Sequence, residues 1–337
     1  MEAHVVKEMV RLFVPGKYQP KIVAIGGGHG LSTMLRGLKK YTKNITAIVT
    51  VADDGGGSGM LREDLGMLPP GDIRNCILAL ANTEPTMEKL LNYRFTEGSL
   101  SGQSFGNLFL AAMNGISGSF DEAVHRMGDV LAITGKVLPV TNQNVHLEAE
   151  FDNGSRCLGE SKITLAKKSN NSNIKQVRLV PENPQALPES LEAIEQADLI
   201  LIGPGSLYTS IIPNFLVDGI SEAVGASGAL KIFVMNIMTQ DGETENYSGS
   251  DHVCALLKHA VPGVVDVCIA DCSEIPEQIL RPYWDEGVGQ LVLDRQGIEA
   301  LGIEVREYPL AVGERYIRHD PDLLADAIME VFWEAER

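Results

Sequence analysis

KIVAIGGGHGLS, residues 21–32, is the stretch that decides the fold. Lys21–Gly26 is a short apolar run of the kind buried on both faces of a sheet. Gly26-Gly27-Gly28-His29-Gly30 follows, and then a helical stretch to about Lys40. A buried strand that opens through glycines into a helix brings backbone N–H groups close to an anion, at the positive end of the helix dipole. The dinucleotide fingerprint asks for a third glycine where Leu31 stands, so the match to an NAD site is imperfect. The plainer alternative is a tight turn without a ligand, and the strand–glycine–helix context favours phosphate contact over it.

The same arrangement recurs further along. Ile45–Ala52 reads as a second strand and runs into Asp53-Asp54-Gly55-Gly56-Gly57-Ser58-Gly59, a loop with more glycine than a solvated turn requires. One acidic residue there suits a ribose hydroxyl, and two adjacent carboxylates suit a magnesium ion bridging phosphates equally well. LILIGPGSLYTS, residues 199–210, again opens a strand into Gly203-Pro204-Gly205-Ser206. Three such loops are expected to meet at one crevice, where ligands of open α/β sheets bind. Asn236 and Thr239 follow the Lys231–Val234 strand and are expected at the same edge. The expected phosphate contacts are Gly26, Gly27, Gly28, His29, Gly30, Gly56, Gly57, Ser58, Gly203, Pro204, Gly205, Ser206 and Asn236, with Asp53 and Asp54 as the metal pair. Candidate cations are Arg62, Arg74 and Arg318. Asp72 reads as the N-cap of a helix from Ile73 to Ala81, with Arg74 aimed at an anion from its first turn. A plain cap and a surface ion pair are comparable readings of those two residues.

Elsewhere the α/β rhythm continues. Asp198–Ile202, Lys231–Val234 and Asp266–Ala270 are strand candidates, and residues 72–131 read as mostly helical. The last helix begins at Pro321 with Asp320 as its cap. Parallel strands with crossover helices imply a doubly wound sheet. Residues 136–180 differ: Val137–Val140, Asn144–Phe151, Arg156–Thr164 and Gln176–Val180 read as short strands of a β-rich insertion. That insertion belongs to a domain spanning residues 21–337. Residues 1–20 read as an appended extension with a short helix ended by Pro15-Gly16.

Composition narrows the function classes. A net charge of -17, without a Lys/Arg run, argues against nucleic acid and anionic membrane as partners. Any phosphate site must build its positive potential locally. Cys76, Cys157, Cys254, Cys268 and Cys272 are an odd number without a Cys-x-x-Cys, which reads as buried free thiols in a reducing compartment rather than zinc ligands. No apolar run approaches membrane-spanning length, and Glu2, His4, Lys7 and Glu8 interrupt any signal-peptide core, so a cytoplasmic protein is expected. Gly102-Gln103-Ser104-Phe105-Gly106 matches a hydrolase nucleophile elbow, but Thr96–Leu100 is not strand-like. Neither Gly16-Lys17 nor Gly135-Lys136 completes a Walker A loop.

Taken in order, AIGGGHGLS at 24–32, VADDGGGSGMLR at 51–62, LPPGDIRNCILALA at 68–81, GQSFGNLFLAA at 102–112, IGPGSLYTSIIPN at 202–214, MNIMTQDGET at 235–244 and YIRHDP at 316–321 resemble the CofD-like family, in its gluconeogenesis-factor (YvcK) branch. The resemblance runs from about Lys21 to the C-terminus. It implies a Rossmann-like three-layer α/β/α fold with a mostly parallel sheet. The related 2-phospho-L-lactate transferases move a phospholactyl-type group from a guanosine-diphosphate donor to a deazaflavin alcohol, with magnesium. The resembled branch binds UDP-sugars such as UDP-N-acetylglucosamine and supports cell shape and cell-wall synthesis on gluconeogenic carbon. By the same resemblance Tyr283 and Arg318 contact the UDP-sugar, the tyrosine stacking on uracil and the arginine pairing with the diphosphate. His29 replaces an expected threonine, and Asp241 an expected proline. Three readings follow: a UDP-sugar-binding regulator without turnover, a magnesium-dependent transferase on a nucleoside-diphosphate conjugate such as one of GDP, and an NAD-dependent oxidoreductase. A homo-oligomer and a protein partner that reads the bound state are expected with the first.

Overall fold

A computed structural model describes residues 18–313 and 316–336. The helix expected before Pro15 lies outside the described residues. The KIVAIG run forms β1 (Ile22–Gly26), buried along its whole length. It pairs in parallel with β2 (Ile45–Val49) on one side and β7 (Leu199–Ile202) on the other. Beyond β2 lies β3 (Lys136–Pro139); beyond β7 lie β8 (Leu230–Val234), β9 (Val267–Asp271) and β10 (Glu304–Tyr308), every pair parallel. The sheet order is β10-β9-β8-β7-β1-β2-β3. The chain therefore works outward from β1 to β3, returns to the centre at β7 and works outward again. The reversal between β1 and β7 leaves a crevice at their carboxyl ends, as in Rossmann-like folds.

Helices flank the sheet. Those at Gly28–Leu38, Gly71–Leu80 and Pro321–Ala335 make one touching group; Pro188–Glu195 with Ile220–Ala226, and Gly249–Lys258 with Arg295–Glu299, make others. The core is aliphatic: Ile25, Ile48, Leu201, Ile202 and Ile232 are wholly buried. Each such side chain contributes roughly 1.5–3 kcal/mol over an exposed one. Asp320 caps the last helix as expected, accepting from the amides of Asp322 and Leu323.

The β-rich segment divides differently from the reading of its sequence. Val137–Val140 belongs to the edge of the main sheet, because β3 continues the parallel ladder of β2. The separate antiparallel sheet is β5-β4-β6, from β4 (His146–Phe151), β5 (Arg156–Leu158) and β6 (Ile174–Val180). The strand expected over Arg156–Thr164 stops at Leu158. Gly159, at φ +107, turns the chain into the helix Glu160–Asn170. Asp72 is not an N-cap: the helix begins at Gly71 behind Pro70, which leaves the Asp72 carboxylate free to reach elsewhere. Strand β10 and the short pair β11 (Ala311–Val312) with β12 (Arg318–His319) were not expected. All five cysteines are free, but only Cys76 and Cys268 are buried, since Cys254 and Cys272 lie at exposed positions and Cys157 is half-buried.

Candidate functional site

At the carboxyl ends of β1 and β7 lies a cavity of about 500 Å³. Its first wall is the turn after β1. The first amides of the helix Gly28–Leu38 lack intrahelical acceptors, and Gly27 before it has no side chain to cap them. Gly28, His29, Gly30 and Thr33 line the cavity. Gly30 is required by close approach: a Cβ there would stand 2.4 Å from the Pro204 carbonyl oxygen. That contact locks the first loop to the third, whose Pro204, Gly205 and Ser206 also line the cavity. Asn236 clamps the third loop: its Oδ1 accepts from Gly205 N at 3.1 Å and its Nδ2 donates to Gly205 O at 2.8 Å. Asn236 thus shapes the wall, with its amide engaged on protein. Gln240 Nε2 donates to Ser206 Oγ at 2.8 Å and steadies the same loop.

The β11–β12 hairpin closes another side with Ile317, Arg318 and His319. It is anchored by Asp271 at the end of β9, which accepts from the amides of Leu310 and Ala311 at 2.8 and 3.0 Å. Tyr283, from the helix Glu277–Asp285, lines the cavity and accepts from the Ile317 amide at 2.8 Å through its hydroxyl oxygen. Tyr283 and Arg318 are therefore joined through the backbone between them. His319 is buried, with Nε2 at 3.1 Å from Met235 O. Burial pushes its imidazole down to about 4, so it is neutral and donates to that carbonyl. The Arg318 guanidinium is exposed and makes no hydrogen bond or ion pair among the described residues. Burial, and then the charges of Arg318, Arg74 and Arg36, hold the His29 imidazole below its usual range.

Three carboxylates complete the lining: Asp53, Asp72 and Glu160. Asp53 accepts from Gly55 N at 2.8 Å, yet burial raises its carboxyl above the usual range. Asp72 accepts from the Gly28 amide and is pushed up to about 6, by burial first and the Asp53 charge second. Glu160 is raised well above its usual value by burial, then by Asp53 and Asp72, and its Oε2 is buried without a partner. Among the described residues no three His, Cys, Asp or Glu side chains stand close enough to cage a metal by themselves.

The convergence expected of three loops holds for two. The first and third meet over the crevice. The second contributes only Asp53, and Gly56, Gly57 and Ser58 lie outside the lining because the helix Gly56–Leu65 turns them onto protein. The Ser58 hydroxyl accepts from Gly71 N at 3.1 Å. Asp54 also stands outside: its Oδ1 accepts from Ser161 N at 2.8 Å, at the start of the helix that carries Glu160. Arg74 is not in the cavity lining, and its stem packs against Gly106. Gly26, Gly27 and Gly203 sit behind the lining. Arg62 is spent on the Asp53, Asn144 and Val145 oxygens, tying the second loop to the antiparallel sheet. Sequence reasoning missed Glu160, which had no signal beyond its place in a misread strand, and the ligand-facing place of Asp72, hidden by its resemblance to a cap. Ser104, of the elbow-like motif, caps the helix Phe105–Gly115 by accepting from Asn107 N.

Residues 22–311 match the family described as 2-phospho-L-lactate transferase CofD. A relative from Thermoanaerobacterium thermosulfurigenes is 57% identical over 311 residues, covering 92% of this chain and 96% of that one. The gluconeogenesis factor of Bacillus subtilis is 46% identical over 318 residues, covering 94% and 99%. A crystal structure of a UPF0052-family protein from Bacillus halodurans superposes with a TM-score of 0.89 at 43% identity, covering 93% of this chain and all of that one.

Proposed function

We propose that this chain, which belongs to the CofD family in its gluconeogenesis-factor branch, binds a nucleoside-diphosphate sugar of the UDP-N-acetylglucosamine type as a regulatory protein of growth on gluconeogenic carbon, acting on cell shape and cell-wall synthesis. The observation that carries the reading is that Arg318, without a hydrogen bond or ion pair among the described residues, lines one cavity with His29 and Gly30 of the first helix's N-terminus. A guanidinium with helix N-terminal amides is a diphosphate cradle. Tyr283 supplies an aromatic face beside it for a base. The carboxylates accept from sugar hydroxyls, as acidic side chains do in a polar pocket.

The second reading, a phospholactyl-type transferase, is favoured by the same carboxylates. Oxygen donors suit a magnesium ion, and Glu160 Oε2 lacks a partner. Asp53, Asp72 and Glu160 fit that ion better than Asp54, whose carboxylate is engaged elsewhere. With no protein cage, the ion would be shared with phosphate and water, and would neutralise charge on the diphosphate.

A thermal-shift panel of UDP-N-acetylglucosamine, GDP and NAD, with and without magnesium, tests both. UDP-N-acetylglucosamine is expected to raise the melting temperature most, because a ligand of the native state stabilises it. Magnesium is expected to enlarge that rise in the parent and not in Asp53→Asn. Stabilisation by NAD alone would overturn the order of the readings.

A further inference from the structure

Arg74 stands outside the crevice lining, and among the described residues its charge is offset only by Asp72, with no ion pair between them. It is only 8% exposed. Its Nη2 donates to Asn75 Oδ1 at 2.7 Å, while its Nε is buried without an acceptor. No carboxylate forms an ion pair with it among the described residues. After burial, the charge that bears on it most is another arginine, Arg94, ahead of Asp72. Arg94 is exposed and donates to the Gly102 carbonyl.

Local backbone brings the two together. Arg94 bridges antiparallel to Ser104, the cap of the helix Phe105–Gly115. The stem of Arg74 lies along that helix's first turn, where a Cβ on Gly106 would come within 2.6 Å of Arg74 Cδ. The Gly106 amide, in that first turn, has no intrahelical acceptor. Asn107 Oδ1, in the same first turn, is also buried without a donor, and turning that amide over presents its N–H2 group instead. A buried guanidinium without a directly paired carboxylate is destabilising, and a second arginine near it adds repulsion. An oxyanion between them removes both costs and takes up several idle donors.

We infer that Arg74 and Arg94 form a second oxyanion site, outside the nucleotide crevice, for the phosphate of a phosphorylated small molecule. It rests on no part of the nucleotide-sugar reading and stands if that reading fails.

The test uses the full chain with inorganic phosphate as the probe, at matched ionic strength, followed by melting temperature and calorimetry. All phosphate titrations are made with UDP saturating the crevice, and there the parent and Arg318→Ala are expected to bind phosphate equally well. Arg94→Ala, which alters an exposed side chain, is expected to weaken phosphate at least tenfold. Arg74→Lys keeps the charge but loses the fork and is expected to weaken it as well. Glycerol 3-phosphate is expected to compete. Abolition of all phosphate binding by UDP, loss of the remaining binding in Arg318→Ala, full binding in Arg94→Ala, no saturable effect in the parent, or no competition by the monoester would each overturn the assignment.

Discussion

The lining of the crevice divides chemically into a basic wall, His29, Arg318 and His319, and an acidic wall, Asp53, Asp72 and Glu160, which touch where Asp72 accepts from the Gly28 amide. The basic wall is made by a helix N-terminus and a short hairpin. The acidic wall is assembled from three segments far apart in sequence. Burial acts on both, in opposite senses: it lowers the imidazoles and raises the carboxyls, so each wall carries less charge at neutral pH than its composition suggests. Burial works against full ionisation of the acidic wall, which lessens its repulsion of an anionic ligand. The basic wall holds phosphate mainly through Arg318 and the helix amides, since its histidines are largely uncharged.

The largest effect expected from this contrast is on stability against pH. His319 has a folded pKa of about 4, below the unfolded 6.5, so its contribution is present above pH 6.5 and lost as pH falls towards 4. Asp72 has a folded pKa of about 6, above the unfolded 3.8, so its contribution is full below pH 3.8 and lost as pH rises through 6. At 1.36 kcal/mol per unit each amounts to about 3 kcal/mol, less for Asp72, which water partly screens. His319→Gln keeps the donor to Met235 O, and Asp72→Asn keeps an acceptor for Gly28. Relative to the parent, urea unfolding between pH 6.5 and 4 should show His319→Gln losing less stability on acidification and Asp72→Asn losing more. Curves for both variants that run parallel to the parent would remove the contrast.

The two walls also differ in how far the sequence disclosed them. The basic wall was legible because its chemistry is local: a strand, a glycine run and a helix within twelve residues announce an amide cradle. Arg318 was placed by family resemblance, and its hairpin mate His319 stood beside it. The central strands were legible for the same reason, as short apolar runs. The acidic wall was not, because nothing within a few residues of Asp72 or Glu160 tells which way a carboxylate faces. Asp72 looked like a cap until Pro70 moved the helix start. Glu160 sat in a stretch whose strand signal ends only because Gly159 turns the chain. The second glycine loop misled for a related reason. Glycine reports that something comes close, and there the close neighbours are protein: Gln103 beside Gly57 and Ser58 beside Gly71.

A smaller effect should separate the walls by ligand rather than by pH. Arg318→Ala removes a charge-assisted contact that the empty protein does not use, so UDP-N-acetylglucosamine affinity is expected to fall ten- to a hundredfold, about 1.4–3 kcal/mol. The melting temperature without ligand should stay close to that of the parent. Added salt should narrow the gap between parent and variant, since the lost term is electrostatic. Equal affinity by calorimetry would take the diphosphate away from the basic wall.

The smallest effect is expected at Asp54, and it asks whether the acidic wall ends where the structure puts it. Asp54 is adjacent to Asp53 in sequence but answers to a different element. Its carboxylate accepts from Ser161 N and lies at the N-terminus of the helix Glu160–Asn170, where negative charge is favourable. Asn in its place keeps an acceptor and loses only the charge, so the cost in urea unfolding should be about 0.5–1 kcal/mol. The dependence of UDP-N-acetylglucosamine binding on magnesium should be unchanged, because the residue does not line the cavity. A variant that binds the sugar nucleotide as the parent does, yet no longer responds to magnesium, would bring Asp54 back into the metal pair and shift the acidic wall towards the second glycine loop.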